Sequence, residues 1–318
     1  MKSKTVLKPP ARSFAGRIKR ELERNGQLYV MIILPVIYII IFAYYPMYGL
    51  QIAFRKFNPA LGIMGSPWAG MQHFRRFFNS PQFGNVIVNT LVLSFYNLAA
   101  GVPIPIILAL GLNAMRNKIL KKTVQMATYL PHFISSVVMV GMLIQMFSPR
   151  VGMFGNLYSL MTGQLMQDIN ASPKAFVHMY VWSGIWQNMG WSSIIYLAAL
   201  SNVDSEQTEA ALIDGTTRLQ RVWYIDFPAI VPTAVILLIM NAGQMMNVGV
   251  EKVLLMQNNL NISTSEVIST YSYKAGLSAG GGDFSYGTAI GMFNSVINLI
   301  LLVVVNGISK RVSDTSLW

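Results

Sequence analysis

Polar and apolar positions divide the chain into long uncharged runs separated by short charged stretches. No Asp, Glu, Lys or Arg occurs in 25–54, 77–115, 123–149, 175–203, 227–250 or 284–309. Each of these six runs exceeds the roughly 20 residues that a helix needs to cross a bilayer. In lipid only helices and closed barrels satisfy their backbone groups, and these runs are too long and too evenly apolar for barrel strands. The pattern predicts an all-α polytopic membrane protein with six transmembrane helices, at about 28–50, 85–112, 124–147, 176–200, 229–248 and 288–308. A kink is expected at "GVPIP" (101–105), where two prolines remove helix hydrogen bonds. Two weakly charged stretches read differently. The Gly- and Pro-rich 57–74 is expected as loop, and 151–167 as a short interfacial helix.

Composition agrees with this class: 53% of residues are hydrophobic and 11% charged, against roughly 25% charged in soluble domains. The formal charge of +12 sets orientation. With the N-terminus cytoplasmic, sixteen of the 24 Lys and Arg fall inside and eight outside, the bias expected of cytoplasmic loops. Both termini and the 201–228 loop are then cytoplasmic. The basic residues flank the membrane without forming one patch, so no nucleic-acid partner is expected. The apolar run after the basic tail is too long for a cleaved signal and reads as an uncleaved first span. The organisation is a basic tail (1–27), one permease unit (28–309) and a short tail (310–318). The chain has no cysteine, which excludes disulfides, thiolate metal sites and Cys nucleophiles.

Several chemistries are missing. There is no Gly-x4-Gly-Lys-Ser/Thr run to cradle a nucleotide. The Gly-rich "AGGGDFSYG" (279–287) reads as a flexible external loop. The hearts of the spans hold no ionisable group, which argues against an ion-coupled pump and against an intramembrane enzyme. His132 and His178 lie towards span ends and fit hydrogen bonding to backbone or interfacial water. No catalytic residue, metal ligand set or cofactor of its own is expected. A partner must supply energy, or the protein is passive.

Polar groups within the runs mark a possible pathway. Trp182, Trp186, Gln187, Asn188 and Trp191 lie in the fourth span, Asn241, Gln244 and Asn247 towards the end of the fifth, and Asn294 and Asn298 in the sixth. Aromatic faces stack on sugar rings, and amides bind their hydroxyls. Trp182, Trp186, Gln187, Asn241, Gln244 and Asn294 are the candidate substrate contacts. Two readings stay open for each: lining of a wet pathway, or interhelical hydrogen bonding for the amides and interfacial anchoring for the tryptophans.

Between the fourth and fifth spans lies "EAALIDGTTRLQRVWYIDFP" (209–228). Asp204 can cap a helix over 205–213, with Gln207 completing a capping box. Gly215 suits the left-handed residue that ends it. Thr216 or Thr217 can cap a second helix bearing Leu219, Val222 and Trp223 on one face, which Pro228 should stop. Ala210 and Ala211 let the first helix lie deep in a groove, and its acidic character suits a basic protein partner better than anionic lipid.

These residues resemble the signature of ABC importer permeases. Glu209, Ala210 and Ala211 are followed after three residues by Gly215, and after nine more by Ile225, Phe227 and Pro228; the one departure is Phe227 in place of the usual Leu. Over its whole length the chain is similar to carbohydrate permeases of the LplB and YteP type, a branch related to the maltose permease MalF. The resemblance implies a type I importer (MetI-like) permease fold, multi-pass in the cell membrane. It implies that the first loop helix enters a cleft of an ATPase subunit, with Glu209, Ala210, Ala211, Asp214, Gly215, Ile225 and Pro228 as the coupling residues. It also implies a heterodimer with a second permease, two ATPase subunits that bind the ATP, and an external sugar-binding protein or lipoprotein. The expected cargo is an oligosaccharide from a complex polysaccharide; a permease for a peptide or other solute, or an ion-coupled secondary transporter, is the alternative.

Overall fold

A computed structural model describes residues 14–277 and 282–312. Much of the basic tail, the end of the C-terminal tail and residues 278–281 of the Gly-rich stretch lie outside the described residues. Helix occupies each of the six uncharged runs. Among the described residues four helical stretches, Glu23–Phe54, Phe83–Ala114, Arg218–Gly243 and Phe284–Arg311, are long and apolar enough to cross a membrane, and a fifth qualifies if a bent pair counts as one.

The first stretch changes register along its length. Helix over Phe14–Ile39, kinked at Asn25 (φ −119°, ψ 17°), passes into a π turn at Ile40–Tyr44, just before Pro46. Proline has no N–H to offer the carbonyl four residues back, and its ring crowds that carbonyl. The wider π turn absorbs both defects. In the second stretch the α-helices Phe83–Gly101 and Pro103–Ala114 meet at Val102, within the segment where the prolines predict a break.

The third run is not one straight span. Lys118–Phe133 and Ser136–Met146 meet at 103°. Pro131 tightens the first helix into a 3-10 turn, Ile134 is extended (ψ 129°), and the Ser135 hydroxyl restarts the helix by accepting from Val138 N. The fourth run is a single helix, Pro173–Leu200, of 28 residues. It is the spine of the fold, packing on the Phe83–Ala114 stretch, on Lys118–Phe133 and on the Phe227–Gly243 helix. Ser, Asn, Gln and Trp dilute its apolarity below that of the four spans above. It lies so close to the Lys118–Tyr129 helix that a Cβ at Gly190 would stand 2.1 Å from the Thr128 carbonyl oxygen; only glycine fits there.

One expected loop carries structure. At the end of 57–74 a helix, Gln72–Phe78, begins and runs on to bury His73, Phe74 and Phe77. It packs with Ala53 and Ala289 over the start of the last helix, Phe284–Val312. The expected short helix after the third span is Met153–Thr162. The fifth helix ends at Gly243, earlier than its predicted span, and the chain turns through 244–249 before Val250–Met256 and Ile268–Leu277 fold back against the bundle. The main core joins Leu93, Met139, Val140, Phe176, Val181 and Val253.

Candidate functional site: a coupling loop and an amide-lined cavity

The loop between the fourth and fifth stretches folds through local interactions. Ser205–Ile213 is helical, and the Asp204 carboxylate accepts from Glu206 N at 2.9 Å. The expected box with Gln207 does not form. Helix termination follows a Schellman pattern: Thr216 N donates to Ala211 O, Gly215 N donates to Leu212 O, and Gly215 has φ +76°. The capping box lies instead at the next helix, where Gln220 N donates to the Thr217 hydroxyl and Thr217 N donates to Gln220 Oε1. Gln207 stands at the same third helical position after Asp204, but the Asp204 carboxylate accepts from the second helical N–H, Glu206 N, so the reciprocal pair is not set up there.

Pro228 does not stop the second helix. Arg218–Arg221 continues through a π turn, Val222–Asp226, into Phe227–Gly243. The π turn precedes Pro228 as another precedes Pro46, and for the same reason. Arg221 Nε lies 3.4 Å from Asp226 Oδ2 across this turn, and Asp226 is buried.

A hollow of about 550 Å³ opens between the two loop helices. Gln207, Ala210, Ala211, Asp214, Gln220 and Ile225 line it with Thr216 and Tyr224. The alanines keep it open. Glu209 and Gly215 lie beside it and are exposed. Ile213 is 86% exposed and Tyr224 79%, with Leu212, Leu219 and Trp223 also bare. That much apolar surface on one small loop marks an interaction face.

The second feature is a cavity of about 480 Å³, within the roughly 300–1,000 Å³ of small-molecule sites. The spine helix, the second stretch and the turn after the fifth helix enclose it. Asn97, Gln187, Asn188, Asn241, Gln244 and Asn247 bring amides to its wall, with Tyr180 and Lys252. Gln187 Nε2 also donates to Ile134 O at 2.7 Å, satisfying a carbonyl freed by the bend in the third run.

The six pathway candidates divide. Gln187, Asn241 and Gln244 converge on the cavity. Asn294 lies behind it, where its Nδ2 and that of Asn298 both donate to Asn247 Oδ1, at 3.0 and 2.9 Å. Asn298 Oδ1 in turn accepts from Met246 N at 2.9 Å. This network pins the turn after the fifth helix to the last helix. Trp182 and Trp186 are 51% and 45% exposed and do not line the cavity. Trp182 Nε1 donates to the Tyr96 hydroxyl at 2.8 Å. Of the histidines, His178 bonds that same hydroxyl through Nδ1, and His132 pairs with Asn188 Oδ1 and stacks on Trp191 at 4.5 Å.

Sequence reasoning missed Asn97, Tyr180 and Lys252. Asn97 carries the signal used for the other amides, a polar group inside an apolar run. Lys252 falls two residues beyond the uncharged run, so it reads as a flanking charge.

An all-α membrane protein with a polar cavity inside and exposed apolar side chains on a loop has the build of a transport subunit. The chain belongs to the family described as the binding-protein-dependent transport system inner membrane component, whose model matches residues 101–314. It is 39% identical to Protein LplB of Bacillus subtilis (strain 168), covering 93% of this chain and 92% of LplB. It is also 39% identical to the polygalacturonan/rhamnogalacturonan transport system permease protein YteP of the same strain, covering 95% and 93%. Among solved structures it is similar to a chain of a bacterial alginate ABC transporter in complex with an alginate pentasaccharide-bound periplasmic protein. The TM-score is 0.84 at 36% identity, over 95% of this chain and all of that one.

Proposed function

We propose that this chain is one of two permease subunits of an ATP-driven importer, and that it carries an oligosaccharide released from a complex polysaccharide. One observation carries this reading. The helix that begins in the coupling loop at Arg218 ends at Gly243, beside Asn241 and Gln244 on the cavity wall. A single element of 26 residues, about 39 Å long at helical rise, links the docking face to the cavity. Movement of the loop by a partner is transmitted to the site along this continuous run of helix. The amide wall suits sugar hydroxyls; YteP is named for polygalacturonan/rhamnogalacturonan transport, and the solved neighbour is an alginate transporter in complex with an alginate pentasaccharide-bound protein.

The partners follow from this reading. Two ATPase subunits bind and hydrolyse the ATP, and the loop seats on one of them through Glu209, Ala210, Ala211, Asp214, Gly215, Ile225 and Pro228. A second permease closes the pathway, and an external binding protein delivers the sugar. The chain itself performs no covalent chemistry. It crosses the membrane six times, counting the bent third segment and the polar spine helix, with both termini and the loop cytoplasmic.

Orientation has a direct check. A Ser205→Cys variant of this Cys-free chain should resist an impermeant thiol reagent in intact cells, whereas Leu61→Cys should react. The function is checked in proteoliposomes holding the assembled transporter. Oligosaccharide uptake should require ATP and the binding protein, and should persist when an ionophore collapses the proton gradient. Uptake that needs the gradient and ignores ATP would overturn the reading.

A further inference from the structure

The cavity holds a single formally charged residue. Its amides are neutral, and neither a carboxylate nor an arginine lines it among the described residues. The exception is Lys252, on the short helix Val250–Met256 that follows the fifth stretch. Lys252 is half-buried. Its Nζ donates to Tyr180 O at 2.7 Å and sits 4.5 Å from the centre of the Tyr180 ring. Gly184 leaves it room, since a Cβ there would stand 3.0 Å from Nζ.

An ammonium has three N–H donors. One reaches Tyr180 O; no other acceptor and no acidic partner meets Lys252 among the described residues. The acidic residues of neighbouring segments are engaged elsewhere or turned away. Glu266 pairs with Lys274, Asp283 pairs with Arg76, and Glu251 is exposed and does not line the cavity. Burial pulls the Lys252 ammonium down to about 8, so it remains mostly charged at neutral pH. A cation that serves only packing is costly in such a place, where an apolar side chain of the same length would do. Amides read hydroxyls without regard to charge, whereas a lone cation discriminates by charge.

Resting on the carbohydrate reading above, we propose that the cavity admits acidic oligosaccharides and that Lys252 is the specificity-determining residue, donating through Nζ to a uronate carboxylate. An entering carboxylate loses its hydration at this depth, and the ammonium replaces it. Gln187, Asn241 and Gln244 are placed to bind the hydroxyls of the same sugar.

The test uses the assembled transporter in proteoliposomes with its binding protein. The probes are trigalacturonate and an alginate trisaccharide, each with its fully methyl-esterified form, and maltotriose as a neutral sugar. The readout is the ratio of acid to ester uptake. A charge-assisted hydrogen bond contributes about 1.5–3 kcal/mol, which is roughly tenfold or more in selectivity. The wild type should favour at least one acid over its ester, Lys252→Met should lower that ratio about tenfold or more, and Lys252→Arg should keep most of it. A ratio unchanged in Lys252→Met, with total uptake reduced or not, makes Lys252 a structural latch and overturns the proposal. Import of maltotriose and the esters with exclusion of both acids overturns it while leaving the carbohydrate reading intact. An assembled, ATP-hydrolysing complex that imports no sugar of the panel overturns both.

Discussion

Asn247→Leu should sharply reduce the amount of folded protein in the membrane. Asn247 Oδ1 is the shared acceptor for two amides on the last helix, and Asn294 and Asn298 are both buried. Leucine at 247 leaves two donors without that partner in a place water does not easily reach. An unsatisfied buried donor costs about 1–3 kcal/mol, and interhelical hydrogen bonds in membranes average nearer 0.6 kcal/mol. A loss of roughly 2 kcal/mol lies between these bounds and is large against the stability of a typical domain. The turn at 244–249 would come loose from the last helix, and with it the cavity wall. Gln244→Leu is the control. Gln244 lines the same cavity but makes no side-chain hydrogen bond among the described residues, so its replacement should leave folding nearly intact. Thermal unfolding of the purified protein in detergent, with membrane yield, separates the two. Equal midpoints for both variants would remove the network from the account.

What the sequence made legible was what local interactions decide. The first loop helix runs over the predicted 205–213, and Gly215 takes the left-handed conformation, because caps and a C-terminal glycine act within a few residues. Long uncharged runs became helices for an equally local reason, the need to satisfy the backbone away from water. The bend at Ile134 was not legible. A proline predicts weakness, but the direction of the bend is held by Gln187, 53 residues away, which satisfies the exposed carbonyl. Pro228 misled in the opposite sense, because a π turn lets a helix continue past a proline whose position suggests a stop.

At the cavity, residue type was legible and facing was not. A spacing of i, i+4 puts Trp182 and Trp186 on one helical face but cannot say which face meets the cavity; the structure turns Gln187 inward and the two tryptophans outward. Lys252 was hidden because a charge beyond an apolar run reads as a membrane flank. Only the fold-back of 244–256 brings it over Tyr180.

The largest effect is expected in the coupling loop. Ala210 lines the hollow between the two loop helices, and Ala210→Trp would fill it with a ring, which a close-packed partner cannot accommodate. Glu209 is exposed beside it, and Glu209→Lys would reverse the charge that the loop offers to a partner. Gly215→Pro would force φ to near −65° where the loop holds +76°, breaking the link between its helices. None of the three residues is buried, so each variant should reach the membrane in normal amounts. Loss of a central interface contact of this kind costs about 2 kcal/mol or more, roughly a thirtyfold loss of affinity. Each variant should therefore be unable to import sugar.

Co-purification of the ATPase with affinity-tagged permease from detergent-solubilised membranes reads this most directly. The wild type should retain stoichiometric ATPase, while Glu209→Lys and Ala210→Trp should recover little or none at equal permease yield. Stoichiometric ATPase on both variants, with uptake undiminished, would contradict the claim that this loop is where the permease is driven.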